Sequence, residues 1–131
     1  MTLAKSTRDM TVYELRQLVG LILRWAGKHM GIKKIKYRVL TQRTKCKIYY
    51  GEFRWDINTL YVYRNNCLTI KTLITTVLHE YRHAQQDLSG YHQVLEKVGY
   101  RKHPLEIEAR EAERLYSACW KSIKKKYKLK I

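Results

Sequence analysis

The segment His79-Glu80-Tyr81-Arg82-His83 joins residue types and a spacing that can do chemistry. Two histidines four residues apart on a helix project from one face, with Cβ atoms about 6 Å apart, so both imidazoles can reach one tetrahedral metal ion. Glu80 follows His79, rotated off the ligand line yet beside the metal. There a carboxylate can take a proton from a metal-bound water as it attacks a carbonyl, then pass that proton to the leaving group. Zinc lowers the pKa of such a water to near neutrality, so Zn²⁺ is the expected cofactor and Glu80 the expected base.

A catalytic zinc needs a third protein ligand and leaves one position for water. A glycine three residues past His83 and a histidine six past it would mark a metzincin; those positions hold Gln86 and Ser89. His92 and His103 are candidate ligands outside any pattern. The last helical stretch offers a better one. Its inner stripe reads Glu108, Ala112, Leu115, Cys119 and Ile123, and its outer stripe Glu106, Arg110, Glu113 and Ser117. Glu108 is therefore expected on the apolar side, where a carboxylate is costly unless a cation compensates it. A metal does so; an Arg or Lys partner is the structural alternative. Glu111 comes next, while Glu106 and Glu113 suit a solvated first turn favoured by the helix dipole. Tyr91, His92, Tyr100 and His103 lie between the two helices and are candidates for stabilising an oxyanion.

These residues need elements to hold them. Thr11-x-x-Glu14 reads as a capping box opening a helix, continued by Val12, Leu15, Val19, Ile22 and Ala26 and ended by Gly27 or Gly31. Segments 36–40, 45–54 and 60–64 are rich in β-branched and aromatic residues and predict a small, mostly antiparallel sheet. From Thr69 the apolar period becomes helical through Ile70, Leu73, Ile74, Val77, Leu78, Tyr81 and Ala84, a buried amphipathic helix of about 18 residues. A polar connecting stretch, 87–102, follows. Pro104 suits the first position of a last long helix reaching about Lys126. The expectation is a single α+β domain over residues 1–131: an N-terminal helix, the sheet, the active-site helix and a C-terminal glutamate-bearing helix, with a Lys-rich tail at 121–131.

Over residues 55–120 the chain resembles the gluzincin metallopeptidases, in which a helix bearing HExxH is followed by a helix supplying a glutamate. The Glu106-Ile107-Glu108-Ala109 run looks most like the minimal ImmA/IrrE-type branch, where the Glu before Ala is the ligand. The resemblance implies a zincin-like metallopeptidase domain with His79, His83 and Glu108 as zinc ligands, Glu80 as catalytic base, and a peptide or protein substrate. It further implies that Leu60-Tyr61-Val62-Tyr63 is an edge strand that pairs with extended substrate. The SprT-like DNA-associated proteases compare in charge, but their third motif, His-Gly followed by an aromatic, has no match.

The formal charge of +16 is unevenly placed: residues 1–78 hold 15 Lys/Arg against 4 Asp/Glu, and residues 79–120 hold 6 against 7. The basic excess thus lies outside the motif, as a solvated surface or as a contact for nucleic acid or an acidic partner. The alternative reading is a basic nucleic-acid-associated or protein-binding module with a degenerate or DNA-targeted HExxH domain. Cys46, Cys67 and Cys119 are odd in number and unpaired in spacing, so free thiols are expected, Cys119 in the core. Trp25, Trp55 and Trp120 are expected in the core. No segment is apolar enough to span a membrane, and Lys5, Arg8 and Asp9 interrupt any signal core, which makes the cytoplasm the expected compartment.

Overall fold

The computed structural model describes residues 2–3, 6–40, 50–67, 69–126 and 128–129. The first long helix, α1 (Val12–Met30), opens on the reciprocal box: Glu14 N–H donates to Thr11 Oγ1 and Thr11 N–H to Glu14 Oε1, each at 3.1 Å. It buries Leu15, Leu18, Val19, Ile22, Trp25 and Ala26, and ends at Gly31, whose φ of 104° a side chain would strain.

A short strand, β1 (Thr2–Leu3), precedes α1, and three more follow it: β2 (Lys36–Leu40), β3 (Gly51–Arg54) and β4 (Thr59–Tyr63). Their order is β2-β4-β3, with β4 parallel to β2 and antiparallel to β3. The sheet is therefore mixed, and β4 is its central strand. This corrects the expectation of an edge at Leu60 to Tyr63. Leu60 and Val62 are buried, and a strand so apolar gains by having neighbours on both sides. The open edge near the helix that carries the His79–His83 motif belongs to β3. Positions 45–49 of the expected strand, and Cys46, lie outside the described residues.

The next helix, α2 (Ile70–Ala84), starts at Thr69, whose hydroxyl accepts from Thr72 N–H, and packs against α1, β3, β4 and the C-terminal helices. Leu73, Ile74, Val77, Leu78 and Tyr81 seat it in the core, each burial worth about 1.5–3 kcal/mol. The stretch expected as a polar connection is instead α3 (Tyr91–Lys102), with no buried residue and a break at Gly99 (φ 79°). Lacking an apolar stripe, it gives no helical signal in the sequence.

The expected long last helix is divided into α4 (Pro104–Ala112), a 3-10 turn at Glu113–Leu115, and α5 (Tyr116–Lys126). Pro104 does stand in the first turn. After α5, β5 (Lys128–Leu129) pairs in parallel with β1. Cys67 and Cys119 are buried free thiols, and Trp25 is in the core, but Trp55 is 69% exposed on the β3–β4 turn. Among the described residues no helix is long and apolar enough to cross a membrane.

Candidate metal centre

α2 carries the motif, and Tyr81 with the C-cap residue Gln85 anchors it at the C-terminal end of α1. Tyr81 is fully buried; its hydroxyl donates to Gly31 O (2.5 Å) and accepts from Lys33 N–H (2.9 Å). Gln85 Nε2 donates to Met30 O at 2.7 Å. With that face held, the opposite side turns His79 and His83 toward α4, their ring centroids 4.9 Å apart. His79, Glu80 and His83 form a group that could hold a metal ion, with one ligand atom from each lying within 4.8 Å of the others.

The carboxylate that meets both imidazoles is Glu106. Its Oε1 stands 3.1 Å from His79 Nε2 and 3.1 Å from His83 Nε2, and the residue is 3% exposed. Glu108 is exposed, and its Oε1 accepts from Gln86 Nε2 at 3.1 Å. The expected stripe is corrected accordingly: α4 buries Glu106, Ala109 and Ala112. The cause is the 3-10 turn. Three residues at about 120° each, instead of about 100°, advance the helix phase by about 60°. Counting back from Cys119 and Ile123 across that turn points Glu108 inward when it is Glu106 that faces α2. The signal available in the sequence is Glu106-x-x-Ala109-x-x-Ala112, small residues marking the face that packs closely. Glu111 is exposed as well.

Each imidazole is fixed by its other nitrogen. His79 Nδ1 lies 2.9 Å from Glu113 Oε2, and His83 Nδ1 lies 2.7 Å from Gln86 Oε1. Gln86 has no freedom to flip, because its Nε2 donates to Leu105 O (3.0 Å) as well as to Glu108. All four ring nitrogens therefore face acceptors, whereas two neutral imidazoles own only two N–H groups. The arrangement demands two further protons or one divalent cation. The latter fits: at metal–ligand distances near 2.05 Å the edge of a tetrahedral site is about 3.3 Å, close to the separation of Glu106 from each imidazole. Glu113 and Gln86, neither foreseen in these roles, are the partners that set ring orientation in metal–histidine sites.

The remaining groups sort by environment. Burial pushes the Glu80 carboxyl up against the pull of the two histidines, and Phe53 N–H on the β3 edge donates to it. Burial would also raise Glu106, but hydrogen bonds with His79, His83 and Tyr91 hold it well below the usual carboxylate range. For His79, burial opposes the charged ring; Glu106 and Glu113 outweigh it and lift its pKa to about 9. His83 is raised in the same way, with Glu106 again the strongest opponent of burial.

Of the four candidates between the helices, Tyr91 is held directly against Glu106. Its hydroxyl donates to Glu106 Oε2 at 2.5 Å, and its ring stacks on His103 at 4.1 Å. Tyr100 is half exposed and near enough for Glu106 to help burial raise its pKa to about 12. His103 is buried, and both its nitrogens are used. Nδ1 accepts from Leu105 N–H, capping α4, and Nε2 faces Tyr91 O at 3.0 Å. His92 is exposed beside Glu96.

No protein-family model matches the chain, and neither does any curated protein or solved structure.

Proposed function

We propose that this chain is a zinc-dependent hydrolase of peptide bonds built on a zincin-like domain, with His79, His83 and Glu106 as ligands and Glu80 as the base. The observation that carries the reading is the set of four ring nitrogens turned on acceptors, with Glu106 Oε1 between two of them. A zinc ion there supplies a Lewis acid and a water acidified toward neutrality. The chain supplies the rest. Glu80 Oε accepts the proton and returns it to the leaving amine; burial strengthens it as a base, and Phe53 N–H keeps it aimed. Tyr91 restrains Glu106 and Glu113 restrains His79, so the frame is set before substrate arrives.

Substrate positioning falls to β3. Tyr63 N–H bonds to Tyr50 O, so by antiparallel alternation Glu52 and Arg54 face β4 while Gly51 and Phe53 turn their backbone groups to the open edge. An extended peptide added there runs beside Glu80.

Metal analysis after reconstitution tests the assignment. We expect about one zinc per chain, lost in Glu106→Ala and kept in Glu108→Ala. In Glu80→Gln we expect zinc retained, with hydrolysis of a fluorogenic unfolded protein down by about 10²–10⁴-fold. A native chain that takes up no divalent metal sinks the proposal, and loss in Glu108→Ala with retention in Glu106→Ala restores the other ligand.

A further inference from the structure

A second chemical feature lies between α1 and α5. Leu21, Arg24, Trp25, Lys28 and His29 recur at the spacing of one face of α1, and Ser122, Ile123 and Lys126 at that of one face of α5; together they line a cavity of about 220 Å³. Its floor is apolar: Trp25 and Ile123 are buried. Arg24, Lys28 and Lys126 are exposed around it, and none of them has a carboxylate partner among the described residues. The His29 ring stacks on Trp25 with centroids 4.3 Å apart, presenting an aromatic face at the rim.

Three cations brought together with no counter-charge repel one another, and the helix dipole at two C-terminal ends offsets that only in part. An anion relieves it. The volume is below the roughly 300–1,000 Å³ of pockets that enclose whole small ligands, so it suits one group of a larger molecule. Guanidinium, ammonium and hydroxyl donors above an aromatic floor match a phosphodiester whose neighbouring base stacks on a ring. A long polyanion also suits the basic surplus, which extends over residues 1–78.

We infer that the α1–α5 cavity binds the phosphate backbone of single-stranded nucleic acid, independently of the metal centre. The test measures affinity of the full chain for a twelve-nucleotide thymidine oligomer against salt, in the native protein and in Arg24→Gln/Lys28→Gln/Lys126→Gln. A variant with the same net charge, Lys34→Gln/Lys97→Gln/Lys102→Gln, is the control. We expect the cavity variant to bind about tenfold or more weakly at low salt, with the slope of log K against log salt shallower by about 2, three contacts at about 0.7 each. The control should change little. Equal losses in the two variants, or no native binding at low salt, overturn the inference. So does poly-glutamate binding as tightly with the same selective loss, which would assign an acidic protein instead. As a second reading, the oligomer should quench tryptophan emission in the native chain; quenching that persists in Trp25→Phe also overturns it.

Discussion

Glu113 and Gln86 touch the Nδ1 atoms of the two histidines, and through them decide what the Nε2 atoms can do. An imidazole whose Nδ1–H is held by an acceptor offers its other lone pair to a metal. Glu113→Ala should therefore weaken zinc binding by about 10–100-fold in competition with a chromogenic chelator, without moving any ligand. Proton competition gives a second expectation. His79 is held protonated up to about pH 9 in the metal-free chain, so zinc must displace that proton. Affinity should rise with pH until about 9 and then level. Metal-free stability should run the opposite way: the raised pKa stabilises the fold fully below the ordinary 6.5, and that contribution fades as pH climbs through about 9. Chelator competition and thermal melts between pH 6 and 10 check both; an affinity that falls with pH over this range would contradict the ligand set.

At the scale of elements, the site depends on how closely β3 and α4 approach α2. Gly51 marks the first approach: a Cβ there would stand 2.6 Å from Tyr61 O and 2.7 Å from Thr76 Cγ2. Relieving that overlap requires β3 to shift, so Gly51→Ala should cost about 1–3 kcal/mol in denaturant unfolding. It should also lower hydrolysis more than zinc content, because shifting β3 moves Phe53 N–H from Glu80 while leaving the histidines in place. On the other side His103 caps α4 and stacks under Tyr91, which sets the rotation of the helix that carries Glu106. The 3-10 turn then absorbs the mismatch between that rotation and the one needed to bury Cys119 and Ile123 on α5.

For the whole molecule, the candidate metal centre spans α2 and α4, with His83 and Glu106 23 residues apart in the chain. Zinc bound only by the folded chain stabilises it by mass action, about 2.7 kcal/mol at a hundred times Kd. For a domain of this size that corresponds to a rise in Tm on the order of 10 °C. Differential scanning fluorimetry with and without zinc should show this rise, and it should vanish in Glu106→Ala.

Local features of the chain were legible because their causes are local. The capping box at Thr11, the strand at Lys36–Leu40, the apolar face of α2, Pro104 in the first turn of α4 and the spacing of His79 and His83 each depend on residues within a turn or two. The amphipathic period alone puts the two histidines beside a core. Three things were decided only by tertiary structure. Which strand stands at the open edge depends on pairing across a chain crossover, and both β3 and β4 had strand-like composition. The helix α3 has no buried face to announce it. Which carboxylate meets the two imidazoles depends on the phase of α4, which periodicity cannot carry across a 3-10 turn. His79, Glu80 and His83 come from one turn of helix, but Glu106 reaches them only because two helices packed from separate parts of the chain meet at that rotation.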